Sequence, residues 1–220
     1  MHPVKLDTPT GLIGARRADP HDIPRGGIVV VQEIFGVNRH IRSVLERFAA
    51  HGFVAIAPCL FDHIAPGIEL DYDEAGIARG RELVAGVGFD RAVQDVEAAA
   101  KSLLDSVEKV GVVGYCWGGT VAFLANARLG LPAVSYYGGR TVPFLHERPQ
   151  APLMLHFGEH DPLIPPEHVE AHRQALAGAI IHVYDAGHGF NCDARADYNE
   201  SASQAALQRT LRFFEKTLHP

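Results

Sequence analysis

The chain has 220 residues, enough for one sizeable hydrophobic core, and a formal net charge of −6 with no basic block, which argues against a nucleic-acid partner. Its three cysteines, Cys59, Cys116 and Cys192, are odd in number and widely spaced, so no disulfide framework is expected and a reducing cytoplasm is the expected compartment. The start, Met1-His2-Pro3-Val4-Lys5, has no apolar leader and no run approaches membrane-spanning length, so neither an export signal nor a membrane partner is expected.

Residues 1–27 hold turn formers at Thr8-Pro9-Thr10-Gly11 and Asp19-Pro20, which predicts one or two short edge strands. Gly27 to Gln32 reads as a buried strand ending in Glu33-Ile34-Phe35-Gly36-Val37-Asn38, and Ile41, Val44, Leu45 and Phe48 then recur at helical spacing. Phe53 to Ala57 is the next strand, and residues 58–72 form a loop. Helical stretches follow near 73–85 and 89–106, the second with Ala92, Val96, Ala99, Leu103 and Leu104 along one face. An apolar run from Val110 to Val113 predicts a strand, and Thr120 to Leu129 predicts a helix. Further strands are expected at Ala133–Tyr137, where Gly138-Gly139 stops the run, at Pro152–Phe157 and at Ile180–Tyr184, with helices at 166–177 and about 200–217. Strands alternating with helices imply an α/β fold with a mostly parallel sheet covered on both faces. No repeat, low-complexity segment or linker interrupts residues 1–220, so a single domain without a separate cap is expected.

Between the strand at 110 and the helix at 120 stands Gly114-Tyr115-Cys116-Trp117-Gly118, a nucleophile flanked by glycines two residues to either side. That spacing suits a sharp strand-to-helix turn that lifts the nucleophile above the sheet edge, because glycine lets strand and helix approach closely. The N–H of Trp117, at the start of the new helix, is then free to stabilise an oxyanion.

Glu33, Cys116, Asp161 and His188 each follow the carboxyl end of a predicted strand, the edge where open α/β sheets bind ligands. Cysteine, acid and histidine occur in the order used by α/β hydrolases, with room between them for further strand–helix units. A thiol needs a base, and the base needs an anion to fix its tautomer, so Cys116 is the candidate nucleophile, His188 the base and Asp161 its orienting acid. Asp161 also suits a turn, as Asp-Pro, and Asp185 is a rival acid that lies close to His188 along the chain. His156, His160 and Asp161 carry metal-ligand chemistry, but no companion cluster or helically spaced pair joins them, so no metal is expected. Cys59 and Cys192 read as a buried apolar thiol and a loop thiol.

The blocks Gln32-Glu33-Ile34-Phe35-Gly36-Val37-Asn38, Gly114-Tyr115-Cys116-Trp117-Gly118-Gly119, Tyr136-Tyr137-Gly138 and Ala186-Gly187-His188 resemble the dienelactone hydrolase family, the cysteine-dependent α/β hydrolases also called carboxymethylenebutenolidases. The likeness runs from about residue 26 to 217. It implies the α/β-hydrolase fold, a triad of Cys116, Asp161 and His188, and an oxyanion hole from the N–H groups of Ile34 and Trp117. It also implies that Glu33 contacts the resting thiol and that Phe35 and Tyr137 line the pocket. The implied reaction is opening of an enol-lactone ring in aromatic-compound degradation, on a small-molecule lactone or ester, with no cofactor.

The best-known members grip the substrate carboxylate with two arginines. Here Arg79 or Arg81 stands where the first is expected, and Arg195 is displaced from the second position, so each is either an anion ligand or a solvated surface charge. A cysteine-dependent esterase or thioesterase acting without a substrate carboxylate is the alternative. A noncatalytic binding protein is a third reading, and it would require decay somewhere in this constellation.

Overall fold

Five consecutive apolar or glycine residues make Gly27–Val31 (β3) a strand buried along its whole length, which only a sheet covered on both faces allows. The computed structural model describes residues 1–218. Eight strands form one sheet in the order β1-β2-β4-β3-β5-β6-β7-β8. The strands are β1 (His2–Thr8), β2 (Gly11–Ala18), β3, β4 (Val54–Pro58), β5 (Val110–Tyr115), β6 (Ala133–Tyr136), β7 (Leu153–Gly158) and β8 (Ile180–Tyr184). β1 and β2 form an antiparallel hairpin and β2 runs antiparallel to β4, whereas every pairing from β4 through β8 is parallel. The mostly parallel sheet of an α/β-hydrolase fold is therefore present, with two N-terminal strands at one edge.

Helices α1 (Arg39–Ala50), α2 (Glu74–Leu103), α3 (Trp117–Leu129), α4 (Pro166–Ala175) and α5 (Glu200–Leu218) link and cover the strands. Asn38 caps α1, its side chain accepting the Ile41 N–H, and Asp73 caps α2 through the Gly76 N–H. The two helical stretches expected near 73–85 and 89–106 join into α2, broken at Gly88 by a φ of 72°. Leu104 does not continue the buried face: α2 ends at Leu103, and Leu104 is exposed while Leu103 is sealed in the core. The loop after β4 contains a 3-10 turn at Leu60–His63.

β6 stops one residue earlier than the sequence suggests. Tyr137 leaves the strand with a φ of 41°, so the tyrosine itself turns the chain ahead of Gly138-Gly139. Among the described residues no helix is long and apolar enough to cross a membrane.

Candidate active site

Cys116 occupies the expected elbow, with φ 55° and ψ −117°, a conformation that non-glycine residues hold only when their surroundings enforce it. The enforcement is visible in the flanking glycines. A Cβ on Gly114 would lie 1.8 Å from the Gly118 carbonyl oxygen, and one on Gly118 would lie 2.4 Å from the Gln32 carbonyl oxygen. α3 starts at Trp117, three residues earlier than the apolar pattern indicates, because Gly118-Gly119 begins the helix and does not extend the turn. The Trp117 N–H is thus at the first helical position, where no intrahelical acceptor exists. Among the described residues, neither the Trp117 nor the Ile34 N–H meets a protein acceptor. Both residues line the cavity beside Cys116, the arrangement an oxyanion hole requires.

The strand-end loops bring the three chemical groups together. His188 Nε2 lies 3.2 Å from Cys116 Sγ, and its Nδ1 donates to Asp161 Oδ2 at 2.7 Å. Asp161 Oδ1 accepts the Leu163 N–H at 2.8 Å, which fixes the carboxylate from its other side. Main-chain bonds from Glu159 to Tyr184 and from His160 to Ala186 tie the Asp161 loop to the His188 loop. Burial disfavours a charged His188, but the adjacent Cys116 sulfur and the Asp161 carboxylate outweigh it and raise the imidazole to about 10.

The rival groups are elsewhere. Asp185 is exposed and pairs with His160 on the surface at 2.7 Å. His156 is sealed in the core between the Tyr184 and Thr210 hydroxyls. His156, His160 and Asp161 therefore face three different environments. Tyr137 does not reach the cavity wall: it is fully buried, its ring 5.1 Å from the His188 ring, and supports the imidazole from behind.

Glu33 is 1 % exposed, and its carboxylate faces Tyr72 and Arg195. The Tyr72 hydroxyl donates to Oε2 at 3.0 Å and Arg195 Nη1 reaches Oε1 at 3.5 Å, while Asn38 donates to the Tyr72 hydroxyl at 3.0 Å. The Cys116 sulfur points to His188, so the thiol–carboxylate contact expected of Glu33 is not the arrangement seen here. Tyr72 gave no sequence signal, since a tyrosine at the end of a long loop is ordinary, and Asn38 stood in the family block without an assigned role.

The cavity above Cys116 has a volume of about 340 Å³. Ile34, Phe35, Trp117 and the unanticipated Ile77 and Leu163 supply its apolar wall, while Arg81, Arg195 and the unanticipated Arg140 supply positive charge. Arg81 and Arg140 are exposed and, among the described residues, neither pairs with a carboxylate. Arg79 instead pairs with Glu82 on the outer face of α2. Cys59 is half-buried, with Asp62 contributing to its environment, and Cys192 is the fully buried thiol, seated in a loop among polar groups.

The histidines set how stability responds to pH. Burial holds His156 and His172 below their ordinary 6.5, so below that pH the unfolded chain takes up protons that the native state refuses. Their contribution is lost as pH falls through about 6.5, with a slope of up to about 1.4 kcal/mol per pH unit for each group. His188 acts in the opposite sense: its contribution is complete below 6.5 and is lost as pH rises toward about 10. Thermal melts should therefore show their highest midpoint near about pH 6.5–7, and a midpoint that climbs steadily toward pH 9 would contradict these directions.

The sequence profile of the dienelactone hydrolase family matches residues 13–218. A carboxymethylenebutenolidase from Pseudomonas putida is 34% identical over 211 residues, covering 91% of this chain and 89% of its own. A Synechocystis protein provisionally named a carboxymethylenebutenolidase is 38% identical over 214 residues, covering 87% of this chain and 86% of its own. Among solved structures, a protein from Klebsiella pneumoniae provisionally described as a dienelactone hydrolase superposes with a TM-score of 0.85 at 32% identity, covering 97% of this chain and 98% of its own. A dienelactone hydrolase-like promiscuous phosphotriesterase from metagenomic libraries shares the fold, with a TM-score of 0.80 at 20% identity, covering 98% of each chain. With its profile match spanning nearly the whole sequence, the chain belongs to the dienelactone hydrolase family and is a carboxylic ester hydrolase.

Proposed function

We propose that the enzyme opens the ring of an anionic enol-lactone by cysteine nucleophilic catalysis. The observation that carries this reading is the Cys116–His188–Asp161 relay on the floor of a cavity whose wall holds three arginines. With the imidazole holding the proton of the Cys116–His188 pair, the Cys116 sulfur attacks the lactone carbonyl carbon. The carbonyl oxygen takes up negative charge toward the Ile34 and Trp117 N–H groups. As the ring C–O bond breaks, His188 returns the proton to the departing enolate oxygen, leaving a thioester. His188 then deprotonates a water molecule, which attacks the thioester carbon. The acid leaves, and the Cys116–His188 pair is restored with its one proton. Asp161 holds the imidazole tautomer throughout.

Glu33 acts in this reading through the charge it presents to Arg195 and the cavity. An anionic substrate competes for that guanidinium, which frees the carboxylate to accept hydrogen bonds from the thiol side. Phe35 packs against the substrate ring, and Tyr137 braces His188. The chemistry needs no metal or organic cofactor, engages neither nucleic acid nor a membrane, and suits a thiol enzyme of the reducing cytoplasm as a single catalytic domain. The apolar wall formed by Ile34, Ile77 and Leu163 favours one second reading, an esterase or thioesterase acting on neutral acyl groups.

A hydrolysis panel of cis- and trans-dienelactone, neutral lactones, p-nitrophenyl acetate and acyl thioesters separates the two. Arg81→Ala and Arg195→Ala should lower kcat/KM for the anionic dienelactones by about 10- to 100-fold, the loss of one charge-assisted contact, and spare the neutral esters. Equal losses on both substrate classes would remove these arginines from substrate binding and favour the neutral-acyl reading.

A further inference from the structure

His40, the second residue of α1, is 3 % exposed, and neither ring nitrogen meets a hydrogen-bond partner among the described residues. A buried imidazole left with bare nitrogens costs free energy, so the position calls for an explanation. The ring is not isolated. One donor atom each from Glu33, His40 and Cys192 lies within 4.8 Å of the other two. Glu33 and Cys192 are also almost completely buried, at 1 % and 0 % exposed. These three come from the end of β3, the start of α1 and the loop between β8 and α5. A carboxylate oxygen, an imidazole nitrogen and a thiol sulfur together form a donor set that borderline-soft divalent cations select.

We propose that Glu33, His40 and Cys192 form a divalent cation site of the zinc class behind the catalytic cavity, and that its occupancy slows hydrolysis. In a tetrahedral zinc site with bonds of about 2.0–2.3 Å, ligand atoms sit about 3.3–3.8 Å apart, so the three donors must close by roughly an ångström. Asp193, the neighbour of Cys192, supplies a fourth ligand: its carboxylate is 3.9 Å from His40 Nδ1 and largely exposed. His40 and Asp193 both line a second cavity of about 490 Å³ on this face, which gives the cation a route in from solvent. Binding replaces the Cys192 S–H proton by a metal–sulfur bond, the proton leaves to solvent, and no electrons are transferred.

Arg195 and Arg47 both act on the cluster, and the 3.5 Å contact of Arg195 to Glu33 is long enough to yield as Glu33 turns toward the metal. The second half of the proposal rests on the reading of Glu33 given above, because a metal-bound Glu33 is no longer available to Arg195 and the cavity.

Binding can be tested without turnover. Cys116→Ala protein removes the thiol–imidazole pair of the active site as a competing ligand set, and Co²⁺ stands in for Zn²⁺ as an optical probe. One equivalent of Co²⁺ should develop the near-ultraviolet thiolate-to-metal band and the intense visible bands of four-coordinate cobalt. Adding Cys192→Ser should abolish the thiolate band, and adding His40→Asn should weaken binding even if the serine variant folds poorly. Cys59→Ser should leave the spectrum unchanged. Absence of the band, or its survival in the Cys192→Ser protein, overturns the site. Zn²⁺ should also inhibit the wild-type enzyme reversibly, with a chelator restoring turnover, and should inhibit Cys192→Ser much less. Equal inhibition of the two proteins overturns the regulatory half alone.

Discussion

Replacing Cys116 with alanine is expected to lower turnover by at least about 10³-fold on every substrate of the panel, while the melting temperature changes little. The sulfur is the atom His188 addresses at 3.2 Å, and nothing else at the elbow can form the covalent intermediate. Alanine keeps a Cβ in the same positive-φ conformation, so the backbone strain is unchanged and the comparison isolates the nucleophile. Cys59→Ala and Cys192→Ala should retain most activity in metal-free buffer, since neither sulfur faces the cavity above Cys116. Near wild-type hydrolysis of p-nitrophenyl acetate by Cys116→Ala would falsify the nucleophile assignment.

Gly114→Ala is expected to damage folding as much as Cys116→Ala damages chemistry. The added methyl would fall 1.8 Å from the Gly118 carbonyl oxygen and 2.3 Å from its carbonyl carbon, and these are backbone atoms that cannot swing away. β5 and α3 must separate to admit it, although β5 is locked into the centre of the sheet and α3 is packed against β5 and β6. A loss of about 4–5 kcal/mol belongs to such overpacking, and for a chain of this size it lowers the melting midpoint by roughly 8–20 °C. Calorimetry of the purified variant measures this directly, and a shift of only a degree or two would mean that the elbow is far more pliable than its geometry indicates.

The fold was legible because the strands of a doubly covered parallel sheet are continuous apolar runs, and helices such as α1 carry one buried stripe, while α3 is buried from Trp117 through Asn126. Cys116, Asp161 and His188 were legible for a related reason: each follows such a run, where a glycine or turn former announces a tight loop. What stayed hidden depends on contacts between segments remote in sequence. Ile77, Arg140 and Leu163 reach the cavity from three different connections, and no local pattern marks them. Tyr137 was placed in the pocket by resemblance, yet its positive φ sends the ring behind His188. Cys192 looked like an ordinary loop thiol because the cluster that buries it is assembled from β3, α1 and the β8–α5 loop. Arg79 and Arg81 could not be separated on paper, since two residues apart on a helix means opposite faces, and only packing decides which face meets the cavity.

The break in α2 divides labour along one helix. Residues after Gly88 lay Ala92, Val96, Ala99 and Leu103 against the sheet, so their composition answers to folding. The turns before it carry Ile77 and Arg81 to the cavity wall. Between those two lies Gly80, where a Cβ would come within 2.1 Å of the Ile34 carbonyl oxygen, so this half of the helix is seated directly on the loop that carries Ile34, the proposed oxyanion donor. Gly88 itself has open space around it, and its left-handed turn lets the two halves take independent directions. Substrate preference can therefore drift at positions 77 and 81 without disturbing the sheet, provided Gly76 and Gly80 keep their seats and Leu83, Val84 and Val87 stay in the core. The same linkage means that a change in the wall is felt at the oxyanion loop, so selectivity and rate are tuned together and not one at a time.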